Sequence, residues 1–444
     1  LSTEKPIQAD LLIHAKWILP VVPAGTVLED HAVAIRDRKI VAITASKDAQ
    51  SSVSATSSIR LDQHALIPGL VNVHGHSAMS LLRGIADDIP FKQWLEQVVW
   101  PMESKFVSAE FVRQGANLAI AEMISSGTTC FADMYFFPDE VARAALDANM
   151  RVQLASPVLD FPTIWAQDAE EYIHKATELH DNYRNSELVH TAFGPHAPYT
   201  VSDQPLMKIS TLAEELDVPI HMHVHETAQE VEEAVQTDGR RPLQRLAELG
   251  LLSPRLICVH ATQLLDTEIE LLAAHGASVA HCPESNLKLA SGLCQVAKLL
   301  DAGVNVALGT DGCASNNDLD MFSEMRCAAL LAKIVAADAS ALPAPQALEL
   351  ATINAARALG LDAVIGSLET GKYADITAVN LDRLNTMPLY NPVSQLVYAA
   401  QASQVSHVWC GGRLIFEEGE LKTMDRDLIR ESVMAWQQKI EQAR

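Results

Sequence analysis

Apolar and polar positions alternate in two different rhythms along this chain. Residues 9–45 and 366–420 consist of short β-type runs broken by polar turns, and Gly411–Gly412 marks a hairpin. Neither stretch holds enough strand for a stable sheet alone, so the two are predicted to join. Between them, short β-rich runs recur at 65–74, 128–135, 152–159, 188–196, 219–226, 255–262, 278–285 and 304–311. Helical stretches such as Glu110–Ser125, Gln204–Leu216, Leu264–Ala274 and Val296–Leu300 separate most of them. This alternation predicts an α/β fold, a (β/α)8 TIM-type barrel with insertions. The rival, a doubly wound sheet, calls for a Gly-rich phosphate loop after the first strand, where the chain reads VNVHGHSAMS. Residues 321–358 read as nearly all helical. The expected layout is a barrel over 66–366 and a small β-sandwich domain built from both ends of the chain, 1–65 and 367–444.

In such a barrel the C-terminal strand ends build the active site. Those ends carry His74 and His76, Asp133, His196, His223 with Glu226, His260, Glu284–Ser285 and Asp311. His74 and His76 stand two apart, which puts both on one face of a strand and lets them share a metal. A pair of packed histidines is the plain alternative. In HMHVHE, His221, His223 and His225 all face one way, so spacing alone does not choose among them. Glu226 favours His223, because a general acid/base must stand beside the site without entering the coordination sphere. His221 then reads as a lower-layer barrel residue and His225 as a loop residue or one standing just behind the ligands. Asp311, in LGTDG, is either a helix cap or a fourth ligand. Three histidines and one aspartate make an N/O set suited to Zn²⁺ or Fe²⁺.

Composition narrows the partners. Against 33 Lys+Arg stand 56 Asp+Glu, a formal charge of −23, which argues against a nucleic-acid or anionic-membrane partner, since both need basic patches. The seven cysteines contain no C-x-x-C and make neither a disulfide framework nor a zinc knuckle; Cys258, Cys282 and His281 read as core. The opening LSTEKPIQAD has no apolar h-region, and no run reaches the ~18 apolar residues of a membrane span. A soluble cytoplasmic protein is expected, its N-terminus trimmed or tagged because no methionine starts it.

Taken together, PGLVNVHGH, HVHE, VHAT, HCPESNLKL, LGTDG and IGSLETGKYADI resemble the amidohydrolase superfamily in order and spacing, over essentially the whole chain. Within it the chain is most similar to the 5′-methylthioadenosine/S-adenosylhomocysteine deaminases, with triazine hydrolases and guanine deaminases as cousins. The resemblance implies that His74, His76, His223 and Asp311 are metal ligands and that Glu226 is the proton shuttle. It implies that His260 steadies the attacking oxygen and that Asp311 takes the proton of the attacking water. Glu103, in WPMESKF, would hold ribose hydroxyls, and His196 would touch the nucleoside; Glu226 and Asp311 also face the substrate. Binuclear members carry a lysine on the fourth strand, and LVHTAFGPH has none, so one divalent metal is implied. The implied reaction is hydrolytic deamination of an adenine nucleoside by a homo-oligomeric enzyme without organic cofactor.

One stretch departs from the family. Members acting on S-adenosylhomocysteine carry arginines after the third strand, but this chain has none between Arg151 and Arg184. Phe161, Pro162, Ile164 and Trp165 stand there instead. The expected preference is therefore 5′-methylthioadenosine, then adenosine, with S-adenosylhomocysteine disfavoured and Arg83 the residue to watch for a rescue. Two other readings are a triazine or other N-heterocycle hydrolase, which would not need Glu103, and a non-catalytic metal-binding scaffold, which would lack a ligand or Glu226.

Overall fold

The computed structural model describes residues 5–443; positions 1–4 and 444 of the expected terminal domain lie outside the described residues. Eight parallel strands form the barrel: β1 (Leu70–Asn72), β2 (Thr128–Asp133), β3 (Arg151–Val158), β4 (Val189–Pro195), β5 (Ile220–Val224), β6 (Leu256–His260), β7 (Ser278–His281) and β8 (Asn305–Leu308). They pair in chain order, and Val73 N donates to Leu308 O at 3.0 Å to close the ring. Nearly every strand residue is buried, because helices cover the outer face while side chains fill the inside. That is why the strands read as apolar runs and not as alternating ones.

The helix Ala109–Ser125 shows how sequence sets the site's frame. Ser108 caps it by accepting from Phe111 N at 3.2 Å. Phe111, Val112, Ala116, Ala119, Ile120, Met123 and Ile124 form its buried stripe. Gly115 lets it press on the 3₁₀ turn Ser77–Leu82, for a Cβ there would come within 2.4 Å of Ala78 O. That turn directly follows His76, so the helix clamps the loop carrying the first two histidines.

The remaining strands form one mixed sheet from both ends of the chain. Its order is Glu420–Leu421, Arg413–Glu417, Val405–Cys410, Ile376–Asn380, Val53–Pro68, Ile7–Ile18, Leu28–Arg36 and Lys39–Ala45. Val53–Pro68 and Ile7–Ile18 run parallel; the other neighbours are antiparallel. Gly411 and Gly412 both have positive φ, 54° and 72°, as a tight two-residue hairpin turn requires. The C-terminal part also contains a helix, Arg426–Glu441, which the β-type reading of that region did not anticipate. Asp425 caps it, and Trp436 packs edge-on against Phe111 with ring centroids 5.2 Å apart. Among the described residues no helix is long and apolar enough to cross a membrane.

Arg151, at the start of β3, reaches Asp375 of the small sheet with Nε 3.3 Å from Oδ2, and both are buried. Asp375 Oδ1 also accepts from Gly411 N at 2.6 Å. Removing one partner of a buried pair strands the other charge. Arg151→Met is expected to lower unfolding free energy by about 3–5 kcal/mol, read from denaturant titration.

Candidate active site

The chain beyond β1 and β8 is drawn together before any histidine is placed. Asn72 Nδ2 donates to Thr310 Oγ1 at 2.7 Å, and Asn72 Oδ1 accepts from Thr310 N at 3.0 Å. Asp311 N donates to His74 O at 3.0 Å. Gly309 permits this approach, since a Cβ there would lie 2.8 Å from His74 N. His225, His260 and Asp311 all adopt positive φ, at 55°, 71° and 62°. Non-glycine residues in that region are strained, and here they sit where strands turn into the site.

Four side chains converge at this end. His74 Nε2 lies 3.4 Å from Asp311 Oδ1 and 3.3 Å from His223 Nε2; His76 Nε2 lies 3.3 Å from Asp311 Oδ1. A tetrahedral site with ligand bonds of about 2.0–2.1 Å has edges of roughly 3.3–3.4 Å. Three of the six edges of this four-residue set thus match those around a small cation. Tautomers agree with it. His76 Nδ1 donates to Met134 O and His223 Nδ1 to His196 O, both at 2.7 Å. Carbonyls only accept, so each ring in its neutral form turns an Nε2 lone pair toward the centre. Burial opposes charge on His76, but the Asp311 carboxylate beside it outweighs that and raises it to about 9. Burial holds His74 down to about 4 and His223 well below its ordinary value, which keeps both rings neutral. His74, His76 and Asp311 form one group able to hold a metal; His74, His223 and His260 form a second.

Asp311 is fixed on every side. Its Oδ2 accepts from Ser285 Oγ at 2.6 Å and Ser315 Oγ at 2.7 Å, its Oδ1 from Gly312 N at 2.7 Å. His260 Nδ1 meets Asn286 Oδ1 at 2.8 Å, and its Nε2 faces Glu226 Oε1 at 3.6 Å. Ser285 and Asn286 had no assigned contacts from sequence; the signal was the polar SN pair in HCPESNLKL directly after β7. Burial, and then the charge of Asp311, push the Glu226 carboxyl up to about 8. His225 turns away, accepting from Leu243 N at 3.2 Å through Nε2. Asp133 faces the backbone, accepting from Ser77 N at 2.6 Å.

Glu103, His196, His223, Glu226, His260 and Asp311 line one cavity of about 580 Å³. That volume suits a small organic ligand. Glu103 accepts from Tyr135 OH at 2.7 Å, and burial raises its carboxyl to about 7. His196 Nδ1 lies 3.1 Å from Thr200 Oγ1, whose hydroxyl donates to Ala197 O, so His196 Nε2 is left as an acceptor. Trp94, Leu95 and Trp100 line another side. Phe161, Pro162 and Ile164 line the cavity as well; Trp165 does not, for it packs on Tyr172 and under Lys175. Arg83 is engaged by Glu122 and Asn317 O instead of reaching the cavity. A neighbouring cavity of about 840 Å³ shares Tyr199 and Glu226. Its cations are paired: Lys92 with Glu233, Arg240 with Asp238 and Glu248, Arg245 with Asp203.

Comparison with known proteins adds four relationships. The amidohydrolase family model matches residues 65–415. A 5-methylthioadenosine/S-adenosylhomocysteine deaminase of Saccharophagus degradans is 51% identical over 436 residues, covering 98% of each chain. Among solved structures, an adenosine deaminase from Xanthomonas campestris with bound zinc superposes with TM-score 0.98 at 49% identity, covering 99% of this chain and 100% of that one. The zinc-complexed atrazine chlorohydrolase of Arthrobacter aurescens superposes with TM-score 0.88 at 25% identity, covering 96% and 99%.

Proposed function

We propose, from the premise that this chain belongs to the amidohydrolase family and is a metal-dependent aminohydrolase, that it deaminates an adenine nucleoside, 5′-methylthioadenosine above others. The observation that carries the reading is the shared cavity: a half-buried carboxyl group, Glu103, faces the same space as the His/Asp cluster and Glu226. A nucleoside offers a ribose diol for the first and a reactive ring carbon for the second. Triazines offer no ribose, which weighs against the reaction of the Arthrobacter relative.

His74, His76, His223 and Asp311 would hold one divalent cation, Zn²⁺ or Fe²⁺. Its Lewis acidity lets water lose a proton near pH 7 in place of about 15.7. The protein does the rest. Asp311, its second oxygen held by two serine hydroxyls, takes the proton of the water that adds to C6. Glu226, raised to about 8, is protonated at neutral pH and hands its proton to ring N1. His260 stands beside Glu226 and steadies the added oxygen. The proton on Asp311 passes to the amino group, the C6–N bond breaks and ammonia leaves. The C6 hydroxyl proton returns to Glu226, leaving the inosine analogue and an unchanged enzyme.

The 5′ substituent meets Phe161, Pro162 and Ile164. A thiomethyl group gains about 25 cal/mol per Å² buried there. A homocysteine tail brings a carboxylate and an ammonium, and the nearby cations already have carboxylate partners, so unpaired charge is costly. kcat/KM for 5′-methylthioadenosine is expected to exceed that for S-adenosylhomocysteine by about a hundredfold or more. Loss of adenine absorbance with both nucleosides in one assay tests this. Equal values would remove the apolar-wall argument. No turnover of any adenine nucleoside, with release of chloride or amine from a triazine, would overturn the function itself.

A further inference from the structure

His221 lies one layer beneath the cluster and takes no part in the steps above. Its Nε2 is 2.9 Å from His74 Nδ1, and the two rings stack at 24° with centroids 5.1 Å apart. Both side chains are fully buried. The other two cluster histidines have their outer nitrogen fixed by a peptide carbonyl, Met134 O for His76 and His196 O for His223. His74 has no carbonyl there. It meets a ring nitrogen that can accept or donate, and the two choices have opposite consequences. If His221 Nε2 donated, His74 would carry its own proton on Nε2 and could not offer a lone pair beside Asp311. If His221 Nε2 accepts, His74 Nδ1 keeps the proton and Nε2 is free. The second choice places the His221 proton on Nδ1, a buried atom with no hydrogen-bond partner among the described residues. Leaving a buried donor unpaired costs free energy, which a core residue chosen for packing alone would not incur.

We infer that His221 is the positioning residue of His74: it accepts the Nδ1–H bond and so holds the His74 ring in the tautomer and orientation that present Nε2 to the cluster. The inference rests on the metal-site reading above. Outer partners of metal-binding histidines orient the ring and raise its basicity, and their loss weakens metal binding by about 10–100-fold. A purely structural His221 would instead be replaceable by any side chain of similar volume.

Zn²⁺ affinity of the full-length apoprotein, measured by competition with a chromophoric chelator, separates these accounts. His221→Leu fills the space without an acceptor, and His221→Gln brings an amide oxygen to about the reach of Nε2. His221→Leu is expected to weaken Zn²⁺ binding about 10–100-fold, and His221→Gln to regain most of that loss. Unfolding midpoints of the metal-free proteins are not expected to follow the same order. Loading with Co²⁺ should show a shifted d–d absorption in His221→Leu. Wild-type affinity in His221→Leu, or equal weakening in both variants, overturns the inference. If His221→Leu does not fold, His221→Asn replaces it, one methylene too short to reach; binding as tight as His221→Gln would then overturn it. A wild-type protein that binds no divalent metal overturns the metal-site reading instead.

Discussion

Glu226→Gln is expected to keep its metal and its fold while kcat falls by about 10²–10⁴. Burial, and then the charge of Asp311, raise the carboxyl to about 8, which supports the proposed role as proton donor. Glutamine preserves the shape and can still hydrogen-bond, but it has no proton to transfer to the ring. Nucleoside affinity should change little, because Glu103 and His196 sit elsewhere in the cavity. Metal analysis and steady-state kinetics on one preparation decide the matter. Normal turnover would remove the proton-shuttle role from Glu226 and make His196, which lines the same cavity, the next candidate.

His223→Ala and His74→Ala should each abolish turnover and metal content together, whereas the purified wild type should hold about one equivalent of Zn²⁺ or Fe²⁺. His223→Ala removes one of the 3.3–3.4 Å edges, and His74→Ala removes two, one of them to Asp311. Chelation should inactivate the wild type, and added metal should restore it. Elemental analysis finding two tightly held metals, or an active preparation holding none, would exclude the single-site arrangement.

The barrel was legible in the sequence because parallel strands buried on both faces read as apolar runs. Chain direction then brings every strand's last residue to one end, so His74, His76, His223, Glu226, His260 and Asp311 could be listed together before any contact was known. Glu103 was different: it lies on the helix Trp100–Phe106, outside the strand-end pattern, and only the family resemblance pointed to it. Periodicity was blind within HMHVHE, since a two-residue repeat gives His221, His223 and His225 one face. The fold separates them: His221 lies a layer down against His74, and a left-handed backbone at His225 turns that ring away.

The departures share a cause. Trp165 follows the same apolar pattern as Phe161 and Ile164, yet Tyr172 on the next helix draws it out of the cavity. The helix Arg426–Glu441 buries little beyond Trp436 and Ile440, so its hydrophobic signal is thin. Ser285 and Asn286 matter only because β7 brings them beside Asp311 and His260. The sequence by itself determined what repeats along the chain: strand, helix, and polar residues at strand ends. Tertiary structure alone decided which nitrogen faces which oxygen, because hydrogen-bond partners far apart in sequence set each ring's tautomer and direction.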